Sequence, residues 1–264
     1  MTASREERRQ AARTKAEKLR QEQAARERRS RNILIGVLVG IVALVAVVGV
    51  FIFQESKKTL LDDFAGAKPA NADNHGGIVV GATGTAGEKT GGGKNLQVYL
   101  DFMCPYCGDF EAANATDLDD LRASGGLNVT YHVMSNLDGL SSGTAFSTRA
   151  ANAAATVASE SPEHFVAFVE GMFANQPEEN STGLTDEEIA SIAVTAGVPQ
   201  EVADTFAAGT YTEWVGVATQ QAKRDGVGGT PTVLFNGKKV EQVAYYTQGE
   251  LATWLKDQGV SIGD

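Results

Sequence analysis

From Ile33 to Phe53 the chain reads ILIGVLVGIVALVAVVGVFIF, with no charged or polar side chain. At about 1.5 Å per residue this run spans about 32 Å as a helix, the thickness of a bilayer's hydrocarbon core. A buried globular helix is a poor alternative, because the run is apolar on every face and abuts Arg26, Arg28, Arg29 and Arg31. A cleaved signal peptide has a shorter apolar region, about 7–15 residues, ending in a small-x-small site; this one ends in Phe51, Ile52 and Phe53. The run is therefore read as a retained transmembrane helix over residues 33–53.

Charge orients that helix. Residues 1–32 hold 11 Lys/Arg against 5 Asp/Glu, net +6, out of totals of 23 and 33; the rest of the chain holds 12 against 28, net −16, and the two sum to −10. The positive-inside rule puts this basic arm in the cytoplasm and everything beyond residue 53 outside, where disulfide chemistry is permitted. The arm is rich in helix formers but has almost no apolar stripe, so it reads as a solvated topology signal; attraction to anionic lipid is its alternative use. The acidic body repels phosphate backbones, which excludes nucleic acid as a partner.

Residues 54–77 are polar, small and turn-prone and are expected to be a flexible tether about 25–30 Å from end to end. The body of the protein is expected over 78–264. Strands are predicted at 78–81, at 96–103 (LQVYLDFM) and at 127–134 (LNVTYHVM), with a helix at 110–121 between the last two. Ala-rich helical patterns follow within about 140–226: 143–159, 162–174, 186–196 opened by the capping box Thr185-x-x-Glu188, and 211–224. Strands return at 232–235 and 239–243 around Asn236-Gly237, the strongest short hairpin dipeptide, and a helix over 248–258 ends the pattern. This is a split α/β domain with a helical insertion.

The only two cysteines, Cys104 and Cys107, flank Pro105 and Tyr106 where a strand meets the start of a helix. One helical turn apart, they share a face and can close a small disulfide ring. Cys104 lies among the unpaired amides at the positive helix end, which favours its thiolate and makes it the expected nucleophile. Cys107 is then the resolving thiol. A purely structural disulfide is disfavoured because so short a loop removes little entropy from the unfolded chain. A metal site needs about four ligands, whereas His75, His132 and His164 sit at no close ligand spacing, so no metal is expected.

The run Tyr99-Leu100-Asp101-Phe102-Met103-Cys104-Pro105-Tyr106-Cys107-Gly108-Asp109-Phe110-Glu111, with Gly228-Gly229-Thr230-Pro231-Thr232-Val233-Leu234-Phe235-Asn236-Gly237 far downstream, resembles the DsbA-like family of thioredoxin-fold thiol-disulfide oxidoreductases. The likeness covers roughly residues 78–260 and is greatest to membrane-anchored actinobacterial members. It implies a thioredoxin-like fold with a helical insertion behind one transmembrane helix, a cis peptide before Pro231, and a Thr230-Pro231 loop lying against the cysteines to face substrate. Glu111, four residues after Cys107, is implied to take the proton from Cys107 as that thiol attacks; a solvated helix carboxylate is the alternative. Asp101 and Asp109 are like charges that oppose a very low Cys104 pKa.

The resemblance further implies that no dissociable cofactor is used, the redox equivalents residing in the Cys104–Cys107 disulfide. Expected partners are exported proteins with reduced cysteines and a quinone-linked membrane reoxidase of the DsbB-like or VKOR-like kind. A monomeric oxidase is expected, because only residues 54–77 separate membrane from domain and leave no room for the dimerisation domain of isomerases on this fold. Alternatives are an isomerase or reductase on the same fold and a non-catalytic binding module.

Overall fold

The structure, a computed structural model, describes residues 3–55 and 58–261. Two compact units divide at Lys58. The first holds one continuous helix, α1 (Ala3–Glu55), in which the basic arm and the apolar run are a single element. Among the described residues it is the one helix long and apolar enough to cross a membrane. Its apolar side chains stand open, Leu44 at 65% and Phe51 at 67% exposure, which a water-surrounded helix of this composition does not tolerate.

The second unit is built on a five-stranded sheet in the order β1-β3-β2-β4-β5: β1 (Ile78–Val80), β2 (Lys94–Leu100), β3 (Leu127–Val133), β4 (Thr232–Phe235) and β5 (Lys238–Lys239). Strands β2 and β3 run parallel, pairing Leu96 with Val129 and Val98 with Tyr131, and α2 (Pro105–Ala123) makes the crossover between them. β4 pairs antiparallel with β2, and β1 antiparallel with β3. Alternation sends Val98 and Leu100 to one face, into the main core, while Tyr99 packs on the other with Met134, Ala222 and Val227. All seven residues of β3 are buried, so both faces of the sheet are covered.

Between β3 and β4 lie α3 (Phe146–Glu160), α4 (Phe165–Ala174), α5 (Asp186–Thr195), α6 (Gln200–Ala203) and α7 (Thr212–Arg224); α8 (Glu250–Asp257) follows the sheet. This is the expected helical insertion. Ala150, Ala151, Ala153, Ala154 and Ala155 of α3 are wholly buried, and their small side chains let α4 and α7 pack close. The capping box of α5 forms as predicted: Glu188 N–H donates to Thr185 Oγ1 at 3.2 Å, and Thr185 N–H to Glu188 Oε2 at 2.7 Å.

Residues 59–77 do not form the expected flexible tether, while residues 56 and 57 lie outside the described residues. Gln54 and Glu55 continue α1, and from Thr59 the chain is docked on the second unit. Leu61 is buried in the main core, Leu60 N–H donates to Gln221 Oε1 at 2.7 Å, and His75 Nδ1 pairs with Asp225 at 2.8 Å. The Asp73 carboxylate caps the turn by accepting from His75 and Gly77 N–H, each at 2.8 Å. Gly76, at φ +81°, passes so close to α7 that a Cβ there would lie 2.7 Å from that of Ala218. Two apolar side chains, Leu61 and the half-buried Phe64, hold a segment whose polar average had suggested a linker. The strand predicted at 239–243 also shrinks, to Lys238–Lys239.

A candidate dithiol active site

The cysteine motif sits at the C-terminal edge of β2. Cys104 is the N-cap residue of α2, with φ −78° and ψ 115°, and Pro105 occupies the first helical position, where its missing N–H costs nothing. The helix therefore opens at Pro105, five residues earlier than the sequence pattern indicates. Cys107 and Gly108 N–H both donate to the Cys104 carbonyl, at 2.9 and 3.2 Å.

Three side chains fix this turn from below and beside. Asp101, wholly buried, accepts from Met103 N–H at 2.9 Å, Leu137 N–H at 2.9 Å and Ser147 Oγ at 2.7 Å, tying the end of β2 to α3 and to the loop after β3. Gln176 Nε2 donates to the carbonyls of Phe102 (3.0 Å) and Cys104 (2.8 Å). The Phe102 ring packs at 5.0 Å from Phe173 and 6.5 Å from Phe168. Sequence reasoning treated Asp101 only as a charge near the thiol, and Gln176, in the loop after α4, carried no pattern that would reveal it.

The two thiols differ. Cys104 is 5% exposed and Cys107 fully buried. Hydrogen-bond donation from the Cys107 thiol is the largest influence on Cys104 and lowers its pKa to about 6; burial opposes this, the Thr230 side chain and Cys107 N–H support it, and the Asp101 charge opposes it most weakly. Burial first, then the neighbouring Cys104, pushes the Cys107 thiol far up. One sulfur is thus held ready as a thiolate and the other as a thiol.

The Thr230–Pro231 peptide is cis, as the resemblance implied, and its loop lies on the dithiol: Cys104 Sγ is 3.2 Å from the Thr230 carbonyl. Thr232 Oγ1 donates to the Gly229 carbonyl at 2.7 Å and shapes the approach to it. Pro105 is exposed, and Tyr106, at 63% exposure, tilts against Tyr246, at 45%, with ring centroids 6.1 Å apart. These two rings are among the few large apolar side chains left open in the second unit, and they stand beside Cys104. Tyr246 lies outside every sequence motif.

Glu111 shares the face of α2 with Cys107, one turn further on, and lines a cleft together with Glu170 of α4; no hydrogen bond joins it to Cys107 among the described residues. Its carboxyl is 95% buried, and burial, with the charges of Glu170 and Asp119, pushes its pKa up to about 8. Nor do the histidines gather: His75 pairs with Asp225, His164 Nδ1 with Ser161 Oγ at 2.8 Å, and His132 stacks on Tyr99 at 4.0 Å. Among the described residues no group of three or more His, Cys, Asp or Glu is placed to hold a metal ion.

A parallel pair of strands joined by a helix, with a dithiol at the helix start facing a cis-proline loop, defines a thioredoxin-fold thiol-disulfide oxidoreductase. The sequence pattern of the thioredoxin family described as Thioredoxin matches residues 88–257, more than half of the chain, and the chain belongs to that family. A second pattern, that of an inhibitor of host cell division protein domain, matches residues 10–63 and touches none of the site.

Among solved structures, reduced DsbA from Mycobacterium tuberculosis is 30% identical, with a TM-score of 0.59 over 72% of this chain and 93% of that one. The reduced disulfide bond oxidoreductase DsbG from the same organism is 29% identical, with a TM-score of 0.58 over 71% of this chain and 88% of that one. The serine/threonine-protein kinase PknE of M. tuberculosis is 35% identical over 106 residues, 39% of this chain. That match spans 19% of the kinase's length.

Proposed function

We propose that this chain is a membrane-anchored, extracytoplasmic oxidase that donates its Cys104–Cys107 disulfide to exported proteins. The observation that carries this reading is the geometry of the dithiol: Cys104 at the N-cap of α2, Cys107 fully buried one turn on, and the cis Thr230–Pro231 loop 3.2 Å from Cys104 Sγ. A client thiolate attacks Cys104 Sγ; the Cys104–Cys107 bond breaks, a client–Cys104 disulfide forms, and Cys107 leaves. A second client thiolate then attacks the client sulfur, and Cys104 departs as a stable thiolate. Two electrons pass from client to enzyme; Cys107 takes up one proton, and the client's other proton goes to solvent. A low-pKa leaving sulfur favours the reduced product, so the disulfide is a good oxidant.

The Thr230 carbonyl and the open rings of Tyr106 and Tyr246 face the client, giving an extended backbone a polar partner and its side chains an apolar surface. A quinone-linked membrane reoxidase, DsbB-like or VKOR-like, restores the disulfide. The basic arm and the exposed apolar run of α1 support an anchor with its N-terminus in the cytoplasm. In this reading the protein acts as a monomer.

Similarity to DsbG at almost the same level as to DsbA keeps isomerisation as the second reading. Oxidised full-length protein in detergent should convert a reduced multi-cysteine client to its disulfide form stoichiometrically. Faster rescue of a scrambled client than of a reduced one selects the isomerase instead. Protease added to intact spheroplasts should remove the second unit; protection of that unit overturns the extracytoplasmic placement.

A further inference from the structure

A cleft of about 560 Å³ runs between α2 and α4, opening beside Gly108, the residue after Cys107. Four carboxyl side chains line it: Glu111, Asp119 and Asp120 from α2 and Glu170 from α4. No basic side chain does. Arg122, the nearest cation, lies behind the lining, bonded to Asp119 at 2.5 Å and to the Gly81 carbonyl at 3.0 Å, and its charge offsets part of the rise at Glu170. Glu111 lines the same cleft while 95% buried, with no hydrogen bond or ion pair to any described residue. Its oxygens keep their contact with the water of the cleft, and a cation entering there would give this mostly buried carboxyl a direct partner.

The chemistry of the walls limits what that cation is. The four carboxyls are not grouped closely enough to hold a metal ion. Phe173, Ala112 and Ala115 line the cleft between them, a surface suited to an aliphatic stem with a charged head. Gly108 to Asp120 covers about 18 Å of helix, the reach of roughly five residues of extended chain.

We propose that this cleft is a specificity site for a lysine or arginine side chain of the client, borne within about five residues of the cysteine that engages Cys104. The inference rests on the oxidoreductase reading and adds to it a preference for basic flanking sequence. Glu111 and Glu170 receive the ammonium or guanidinium, and the apolar wall covers its stem. Their elevated pKa values, set first by burial, then for Glu111 by the charges of Glu170 and Asp119 and for Glu170 by that of Asp119, fall when the cation binds, so binding releases protons. The groups facing this pair are Asp119, Asp120 and Arg122 of α2 and Tyr131 of β3.

The test uses full-length protein in detergent and heptapeptides alike except for one residue, lysine or its uncharged isostere norleucine, scanned on either side of a central cysteine. With the oxidised enzyme, the best lysine peptide should form the mixed disulfide about tenfold faster than its norleucine counterpart, the effect of one charge-assisted hydrogen bond. Serine-for-cysteine versions, followed by fluorescence anisotropy, should show the same ratio in affinity, and this arm needs no redox chemistry. Failure of every cysteine peptide to react removes the oxidase reading alone, since the anisotropy ratio still reports on the cleft.

Glu170→Gln should bring the ratio to within about twofold of unity, and Glu170→Lys should turn the preference toward a glutamate peptide. Glu201→Gln, an exposed charge on α6 outside the cleft, should leave the ratio unchanged. Equal behaviour of lysine and norleucine peptides in the parent protein overturns the proposal. So does a ratio that survives Glu170→Gln, or one that Glu201→Gln lowers as much, because diffuse negative charge then explains it.

Discussion

Removing Cys107 tests the account of Cys104 reactivity at its source. The Cys104 pKa of about 6 lies three units below the 9.0 of an unperturbed thiol, equivalent to about 4 kcal/mol of preference for the thiolate. Donation from the Cys107 thiol is the first of its causes, and a hydrogen bond to a charged group contributes about 1.5–3 kcal/mol, or about 1–2 pKa units. Solvent at the mouth of the site screens part of this. Cys107→Ala should therefore move the midpoint from about 6 to about 7, with about 8 as the ceiling. In that variant Cys104 is the sole cysteine, so the pH dependence of its alkylation by iodoacetamide, read by intact mass, reports one group. A midpoint within about 0.3 units of the parent's would refute the reasoning and leave the Thr230 side chain and the Cys107 amide, retained in the variant, as the cause.

Further expectations concern the groups around the thiols. Glu111, carrying a folded pKa of about 8 against an ordinary 4.5, binds its proton more tightly in the native state, so its contribution to stability is present below pH 4.5 and is lost as pH rises through 8. Glu111→Gln should hence stabilise the protein at pH 8 by about 3–5 kcal/mol and hardly at all at pH 4.5, measured by urea unfolding. Asp101→Ala leaves three donors without an acceptor, two of them buried, and should cost about 2–4 kcal/mol, lowering Tm by about 6–12 °C; tryptophan fluorescence on heating reads this through Trp214 in α7. Cys107→Ala should accumulate mixed disulfides with exported proteins in cells and Cys104→Ala far fewer, on non-reducing gels. Equal trapping would reverse the roles of the two thiols.

The parts of the molecule legible in the sequence are those with strong local signals. The apolar run of α1, the Thr185–Glu188 capping box, the cysteine spacing and the strand pattern around Asn236-Gly237 each carry their meaning within a few residues. What escaped depends on distant partners. β3 (LNVTYHV) alternates as a half-exposed strand should, yet it is buried throughout because Asn128 bonds Thr90, Thr130 bonds Asn95 and His132 stacks on Tyr99. Leu61 anchors residues 59–77 from within a polar stretch. Gln176 reaches across more than seventy residues to the Cys104 carbonyl, and no local pattern announces that. Helical spacing placed Glu111 on the Cys107 face of α2, but its burial and raised pKa depend on Glu170 and Asp119, which that spacing does not reveal.

The central claim, that the Cys104–Cys107 disulfide is an oxidant, is tested most directly by equilibrating the full-length protein with glutathione buffers and measuring the fraction oxidised. The pair is predicted to be more oxidising than about −180 mV, the value of protein disulfide isomerase, and to be found mainly as a disulfide in cells. A value near about −270 mV, where thioredoxin keeps its dithiol reduced, would contradict it.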